Sequence, residues 1–309
     1  KERGLMGSYT YPIAHPDKTL TPEQVHILLS KPQLVAKRLA DITQMRFIAD
    51  FLLSGRFDAT GGGVFYETGE EIFASDAPHA VAPGSEYPKT VLTTGEIAAA
   101  RTVKWGISTD VTDEKIAREG IAVVNKALAR LGNVIIRHVD TVAWGVISSK
   151  VTSTETSAAW DTPGAAVEAV TRIRNARAEL GTGLDLSTIV LPGAQYAKFI
   201  GMLVDKGALP RENANPALNG TMPVNALGLT WTTSPHVTGK DPWLFDTEQL
   251  GGMADEKLNS PGYASAGGTN IESLSSRTER DGYDLRGRRV TVPVVTDPMA
   301  GVRITGTNL

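Results

Sequence analysis

The side chains that could carry chemistry are few and are spread along the chain. The five histidines are His15, His26, His79, His138 and His236. No two of them stand at a metal-ligand spacing, and neither an HExxH nor a GxSxG motif occurs. With no cysteine, the chain has neither a disulfide nor a thiolate metal site. The sequence therefore predicts no catalytic centre and no cofactor, and we interpret His138, within a predicted helix, as a packed structural residue.

Two short motifs suggest chemistry that their surroundings do not support. The glycines at 61–63 resemble a phosphate cradle, but the GK[S/T] ending and the following helix are both missing. We interpret them as a hinge, because glycine tolerates unusual backbone angles. Glu67, Glu70 and Glu71 resemble paired carboxylates. In a strand they are better explained as solvated edge charges that prevent mispairing.

A basic cluster near the C-terminus has two open interpretations. Arg286, Arg288 and Arg289 have only Tyr283 as an aromatic neighbour in sequence. They either form a salt-bridged contact between subunits or lie in a solvated loop. Charged clusters between subunits contribute more to specificity than to affinity.

Composition limits the classes of protein to consider. The chain has 309 residues, enough for two domains, and its 41% apolar and 21% charged residues are typical of a folded soluble protein. A net charge of −3 gives no overall basic field that would attract nucleic acid. No run of eighteen apolar residues is present, so we expect no membrane span. Because the chain begins at Lys1, we expect it to be the product of an N-terminal cut.

One long helix is the element around which the others are arranged. Over residues 113–149, apolar side chains recur at three- and four-residue steps, which predicts a helix about 55 Å long. Gly120 and Gly132 weaken it and predict a bend or a close contact with another backbone.

Before this helix the pattern is mixed. Residues 1–20 have no period and suggest an extended arm, whereas Thr21 and Pro22 predict a helix start, as does Pro32. Residues 64–73 and 97–108 have the character of strands. The residues between them are rich in proline and glycine and poor in large apolar side chains, so they are either disordered or an extended hairpin that packs on a neighbouring subunit. The flanking strands favour the hairpin.

After the long helix, helices and strands alternate. Residues 150–161 suggest a polar linker, and Pro163 begins a helix that runs to 179. A buried strand at 187–191 and a helix at 194–204 follow, which is typical of an α/β layer. The remaining strands are predicted at 227–237, 242–250, 271–278, 289–296 and 302–305. Strands 271–278 and 289–296 are expected to pair across Asp281-Gly282.

The ordered set of elements resembles the major capsid protein of tailed bacteriophages, whose fold is shared with encapsulin shells. Five segments carry the resemblance: residues 63–67 (GVFYE) through 103–108 (VKWGIS), 109–114 (TDVTDE), 140–144 (DTVAW), 187–196 (STIVLPGAQY) and 289–306 (RVTVPVVTDPMAGVRITG). They resemble, in turn, the extended loop, the start and end of the spine helix, the strand-to-helix step of the axial domain and the C-terminal return.

The resemblance implies an α+β fold with an N-terminal arm, an extended β-hairpin loop, a peripheral domain with a long spine helix, and an α/β axial domain. The implied segments are the arm and short helices at 1–60, the loop at 61–108, the spine helix at 109–150, the axial domain at 151–268, the peripheral return strands at 269–298 and a final axial strand at 299–309. It implies a non-enzymatic protein that assembles with itself into hexamers and pentamers.

Those capsomers would form an icosahedral shell around phage double-stranded DNA, without sequence-specific binding and without a membrane. The implied location is the virion, with assembly in the host bacterial cytoplasm. Scaffold or maturation protease, portal and decoration proteins are implied as further partners. Two alternatives stay open: an encapsulin-like compartment that holds cargo, and an α/β enzyme, for which the sequence offers no convergent polar site.

Some relatives join a loop lysine to an asparagine of a neighbouring subunit, with a buried glutamate as the base. Here Lys89 is the only lysine in 61–103, either as that donor or as a solvated loop-tip charge. Residues 280–289 contain neither asparagine nor glutamate. Asp281 lies near the place of that asparagine, but its carboxylate has no amide leaving group. Arg288 lies near the place of the glutamate, but its guanidinium cannot take up a proton. We therefore expect a shell without covalent links, in which Asp281 and the nearby arginines hydrogen-bond between subunits.

Overall fold

The computed structural model describes residues 20–42, 47–69, 80–81, 87, 89, 95–207, 228–265 and 270–309. Contacts divide the chain into two units. The first unit contains residues 1–47, 102–139 and 255–291, and the second contains 48–101, 140–254 and 292–309. Each unit is therefore built from separated stretches of sequence. The six-segment division expected from the sequence stays a prediction.

Helices and strands are numbered along the chain. The helices are α1 (Pro22–Leu29), α2 (Pro32–Ile42), α3 (Ile48–Leu52), α4 (Asp113–Glu119), α5 (Ile121–Lys150), α6 (Pro163–Glu179) and α7 (Gly193–Asp205). The strands are β1 (Gly55–Asp58), β2 (Gly63–Thr68), β3 (Glu96–Arg101), β4 (Val103–Thr112), β5 (Thr154–Thr156), β6 (Thr188–Leu191), β7 (Thr230–Thr233), β8 (Trp243–Phe245), β9 (Gly251–Asp255), β10 (Ala264–Ser265), β11 (Glu272–Thr278), β12 (Gly282–Val295) and β13 (Gly301–Thr305). In the described residues, no helix combines the length and apolarity that crossing a membrane requires.

The two N-terminal helices begin where the sequence predicts. The Thr21 hydroxyl accepts a hydrogen bond from the Gln24 amide, and the Gln24 side chain accepts one from the Thr21 amide, which completes a capping box. Pro22 occupies the first helical position, where no amide hydrogen is needed. The prediction of an arm at 1–20 concerns residues that lie almost entirely outside the described ranges.

The long helix is interrupted at Gly120. This residue has φ 61° and ψ −140°, so it ends α4, and α5 begins at the next residue. A positive φ is accessible to glycine because it lacks a Cβ atom. The bend predicted at Gly120 is confirmed. Gly132 is buried and lies inside α5 without interrupting it.

In the first unit, α5 packs on four strands of a six-stranded sheet. Strand β12 pairs antiparallel with β11 on one side and with β4 on the other, and β10 continues beyond β11. A Cβ atom on Gly287 of β12 would lie 3.0 Å from Ile135 Cδ1 and 4.0 Å from Leu131 Cβ. Glycine at this position therefore lets the helix approach the sheet closely. Helix α2 packs on β10 and β11 and is tied to α5 by Arg38 Nε, which donates to Asn125 Oδ1 at 3.0 Å.

In the second unit, a five-stranded sheet has the order β5-β13-β8-β6-β7. The outer pairs β13–β5 and β6–β7 are parallel, and β8 is antiparallel to both of its neighbours. Helices α6 and α7 contribute Ile173 and Phe199 to the core on this sheet, where Phe199 stacks on Trp231 at 4.8 Å. The α/β layer predicted from 163–204 is present. The predicted linker at 150–161 is corrected, because it contains β5.

The carboxylate of Asp140 caps another helix of the second unit. The amides of Ile48 and Ala49, at the start of α3, donate to its two oxygens at 3.4 and 3.1 Å. Burial raises the pKa of Asp140, and the two amide hydrogen bonds oppose this effect. Nearby Trp144 packs edge-on against Trp243 and Phe245 and anchors the last part of α5.

The hairpin β2–β3 is also part of the second unit. Its strands pair antiparallel from Gly63 with Arg101 to Thr68 with Glu96. The strand predicted at 97–108 is corrected, because this stretch divides into β3 and β4, which belong to different sheets. Gly61 and Gly62 have φ values of 66° and 87° and form a tight turn between Thr60 and Gly63. The glycines therefore reverse the chain, as their conformational freedom permits. Most of the loop beyond the two strands lies outside the described ranges.

Three glycines bring backbones of the second unit unusually close. A Cβ atom on Gly252 of β9 would lie 2.4 Å from the Gly55 carbonyl oxygen of β1 and 2.7 Å from Phe57 Cε2. A Cβ atom on Gly251, which has φ 150°, would lie 2.1 Å from the Val294 carbonyl oxygen of β12. No other residue fits these positions without moving a strand. Strand β9 itself was not predicted from the sequence.

We predict that Gly252→Ala lowers the free energy of unfolding by about 1–3 kcal/mol, because the added methyl group has no space. The measurement is thermal or chemical denaturation of the purified chain. The matched control is Gly145→Ala, which lies in α5 with no atom within 4 Å of its Cβ position. We expect this control to raise stability by up to about 1 kcal/mol, since alanine favours helix. A Gly252→Ala variant as stable as the unmodified chain would contradict the prediction.

Candidate functional site

The predicted basic cluster lies on a strand rather than in a loop. Arg286, Arg288 and Arg289 belong to β12, which already begins at Gly282. The solvated-loop interpretation is therefore wrong, because β4 pairs with all three arginine positions and β11 pairs with β12 as far as Arg288. Since side chains alternate along a strand, the first two arginines share one face and the third has the opposite orientation.

Arg289 is fully buried, and its side chain has 0% exposure. Its Nε donates to Asp255 Oδ1 at 2.9 Å and its Nη2 donates to Asp255 Oδ2 at 3.0 Å. The guanidinium carbon lies 4.4 Å from the ring centre of Phe47. A bidentate pair of this kind satisfies a charge that would otherwise be costly to bury. All of these partners belong to the same chain.

Arg288 lies on the other face and is nearly buried, at 9% exposure of its side chain. Its Nε donates to Glu272 Oε2 at 2.7 Å, and its Nη2 donates to Ser260 Oγ at 2.9 Å. Its guanidinium lies 3.6 Å from the ring centre of Tyr263. The residue opposite Arg288 on β4 is Gly106. A Cβ atom on Gly106 would lie 3.1 Å from Arg288 Cβ, so the glycine leaves room for the Arg288 side chain on this face of the sheet.

Arg286 is the most exposed of the three, at 52% of its side chain, and it pairs with Asp284 at 2.5 Å. The hydrogen bond to Asp284, together with the charge of that carboxylate, raises the pKa of Arg286. A groove of about 360 Å³ lies over this face and is lined by Lys104, Gly106, Ile107, Ser108, Tyr263, Arg286, Gly287 and Arg288. Arg286 and Arg288 are thus brought together in one basic groove, whereas Arg289 is excluded from it.

The other two predicted interface residues are placed as follows. Asp281 has φ 47° in the turn between β11 and β12, and its carbonyl accepts a hydrogen bond from the Asp113 amide at 2.9 Å. Lys89 is exposed, and most residues beside it lie outside the described ranges. A single chain does not test an interface, so the assignment of Lys89, Asp281, Arg286, Arg288 and Arg289 stays a prediction.

Two residues that the sequence analysis did not single out are the most exposed apolar side chains of the hairpin. Phe65 on β2 is 80% exposed, and Ile97 on β3 is 72% exposed. The register pairs Phe65 with Ala99 and Ile97 with Glu67, which places all four on the same face. The opposite face packs through Val64 on a small core. The alternation of side chains along β2 shows that Phe65 and Val64 lie on opposite faces of the hairpin. The sequence alone does not show which of the two faces packs on the core.

Two histidines outside the groove contact aromatic side chains. The ring of His138 packs edge-on against Trp105 at 4.3 Å, in agreement with a structural role, although His138 is exposed. His26 Nδ1 lies 3.2 Å from the Tyr283 hydroxyl. Among the described residues, no group of three or more histidine or acidic side chains is arranged to hold a metal ion.

Comparison with known proteins identifies the family. A family model described as phage capsid protein matches residues 95–304, about two thirds of the chain. The chain belongs to this phage capsid protein family. It is therefore a capsid shell protein with a structural role, and the predicted resemblance to the major capsid proteins of tailed phages is confirmed. No curated protein matches the chain.

Solved structures agree on the fold. The capsid structure of the cyanophage P-SCSP1u matches with a TM-score of 0.57 at 11% identity, over 82% of this chain and 86% of that one. A phage-related protein from Bordetella bronchiseptica RB50 matches with a TM-score of 0.56 at 14% identity, over 88% of this chain and 96% of that one. A virus-like particle from Pyrococcus furiosus matches with a TM-score of 0.53 at 10% identity, over 87% of this chain and 97% of that one. The fold is the predicted α+β fold of phage major capsid proteins.

We predict that Arg289→Met lowers the free energy of unfolding by about 3–5 kcal/mol, because it leaves the Asp255 carboxylate without its partner. Chemical denaturation of the purified chain measures the effect. Arg174→Met is the control, since its partner Asp185 is 71% exposed and stays solvated when the pair is removed, and we expect a much smaller loss. Equal losses in the two variants would show that burial of the Arg289 pair is not what matters.

Proposed function

We propose that this chain is the major capsid protein of a tailed bacteriophage. It forms hexamers and pentamers that build an icosahedral head shell around double-stranded DNA. The proposal depends on the match to the capsid family over residues 95–304, which include most of the first unit and most of the second. The shell belongs to the virion, and its assembly takes place in the cytoplasm of the host bacterium.

The exposed face of the hairpin supports packing on a neighbouring subunit. Phe65 and Ile97 present apolar surface that nothing in the described part of their own chain covers, at 80% and 72% exposure. Large apolar side chains clustered on one face typically mark a contact with another protein. On assembly, this face lies against an adjacent subunit, and its burial contributes to shell stability.

The basic groove supplies a second, polar contact. Arg286 and Lys104 are exposed at its edge, whereas Arg288 is held in place by Glu272 and Tyr263. A carboxylate from an adjacent subunit fits this arrangement, because exposed arginine and lysine side chains form charge-assisted hydrogen bonds. Asp281, in the turn at the end of the same sheet, contributes to the same contact. Lys89 lies on the extended loop and remains a free amine.

The domain names follow from the same proposal. Residues 109–150, which contain the end of β4 and the helices α4 and α5, form the spine of a peripheral domain with return strands at 269–298. Residues 151–268 and 299–309 form the axial domain that surrounds the capsomer centre, and 61–108 form the extended loop. Scaffold, maturation protease, portal and decoration proteins are its proposed partners during assembly.

A second candidate function is a compartment that holds cargo proteins instead of DNA. The match to the virus-like particle from Pyrococcus furiosus favours retaining it. Electron microscopy of the expressed protein tests whether closed shells form, and the nucleic-acid content of particles from infected cells separates the two functions. Closed shells that contain phage DNA are expected. Soluble monomers under all conditions would refute both functions, and DNA-free particles filled with protein would favour the compartment.

We predict that the double variant Phe65→Ser and Ile97→Ser remains folded but forms no closed shells. Serine removes the apolar contact while leaving the strand pairing of the hairpin in place. Circular dichroism measures folding, and electron microscopy measures assembly. The control is Leu180→Ser, at a position that is 55% exposed at the end of α6, and it is expected to assemble normally. Normal shells from the hairpin variant would exclude this face from the subunit contact.

We also predict that mature particles contain no covalent links between subunits. Strand β12 carries Arg288 where relatives have the catalytic glutamate, and its guanidinium is already paired with Glu272. A guanidinium remains protonated and cannot activate Lys89 for attack on an amide. Boiling particles in detergent should therefore release monomers near 32.9 kDa. A ladder of multimers on the gel would show that another residue serves as acceptor.

A further inference from the structure

The exposed face of α5 in the first unit carries charge of one sign. The helix contains one acidic residue, Asp140, which is buried. The exposed charged side chains between 121 and 139 are Lys126, Arg130 and Arg137. We call Lys126, Arg130 and Arg137 the basic stripe. Its sign contrasts with the net charge of −3 for the whole chain.

Helical geometry aligns the basic stripe along one line. At 3.6 residues per turn, steps of four and seven residues place these three side chains within about 40° of one another around the helix axis. Their spacing along the axis is about 6 Å and then about 10 Å, from a rise of 1.5 Å per residue. A row of this length, rather than a compact cluster, suits an extended ligand with repeating negative charges.

The basic stripe points away from the sheet of the first unit. Leu131 and Ile135 face Gly287 of β12, and both are buried. The same helical geometry places these two residues roughly opposite the stripe around the axis. The packing of α5 on the sheet therefore leaves the cationic side chains on the outer surface of the helix layer. The basic groove, in contrast, lies on the other face of the sheet.

Acidic side chains of the helix layer only partly offset this charge. Glu119 on α4 lies 3.8 Å from Lys126, and both are at least half exposed, so solvent and salt screen the pair. Asp41 is exposed on α2, one turn after the exposed Lys37. Glu23 and Glu114 lie in the first turns of α1 and α4. Among the described residues, no acidic side chain of the helix layer lies between the members of this basic row, although Lys126 pairs with Glu119 and Arg137 also has an interaction partner.

We propose that the basic stripe binds the phosphate backbone of double-stranded DNA without sequence preference. Duplex DNA carries about one negative charge per 1.7 Å of its axis, so it matches an extended row of cations. Lysine and arginine side chains that contact phosphates release condensed counterions, and this favours binding at low salt. The inference rests on the proposed function, because a shell around DNA needs one surface that faces it.

The test measures DNA affinity of the full-length soluble subunit for a short mixed-sequence duplex over a series of salt concentrations. The stripe variant is Lys126→Gln, Arg130→Gln, Arg137→Gln. Its slope of log affinity against log salt should be shallower by about 2–3, close to one for each lost phosphate contact. The control variant is Lys198→Gln, Lys206→Gln, Lys240→Gln, exposed residues of the second unit with the same loss of charge. Its slope should not change.

The double variant Lys126→Gln, Arg130→Gln guards against a folding defect from Arg137, and its slope should be shallower by about 2. Equal slopes for the stripe and control variants, or no DNA binding by the unmodified chain, would overturn the inference. So would loss of assembly in the stripe variant with an unchanged slope, because the stripe would then be a protein contact. Electron microscopy of the unmodified chain separates these results from failure of the proposed function, in which no shells form at all.

Discussion

The buried ion pair between Arg289 and Asp255 is the constraint on which the first unit depends. A guanidinium with no exposed surface is tolerated only where its partner is fixed, and both carboxylate oxygens of Asp255 receive hydrogen bonds from it. The pair joins the end of β9 to the middle of β12, and Phe47 covers it. Once Arg289 is held on this side of β12, strand alternation requires Arg288 and Arg286 to be on the other side. One buried charge thus determines which arginines remain available to a partner.

Glycines allow the backbone approaches that this arrangement needs. Gly287 lets α5 lie directly on β12, and Gly106 leaves room for the Arg288 side chain on the opposite face. In the second unit, Gly252 allows β1 to approach β9 more closely than any side chain would permit. At these positions glycine is required by close packing of the backbone. This requirement agrees with a protein whose function is carried by its surfaces.

Local signals predicted much of the fold, whereas long-range partners could not be predicted. The capping box at Thr21, the helix start at Pro163 and the strands of the hairpin were each encoded within a few residues. Strand β9 was missed because its short, glycine-rich sequence has no periodic pattern, and it is a strand only because β1 and β12 flank it. The arginines were assigned to a subunit contact or a loop because charge alone does not reveal burial. Asp255, the partner that buries Arg289, is 34 residues away in sequence.

The exposed hairpin face has a consequence for the protein before it reaches a shell. Phe65 and Ile97 lie on a two-stranded ribbon whose outer edges have no described strand beside them. Exposed apolar side chains beside unpaired strand edges are a recognised route to aggregation. A newly made subunit therefore carries a surface that promotes disordered association as readily as ordered assembly. The time that a subunit spends unassembled therefore sets how long this surface is exposed to aggregation.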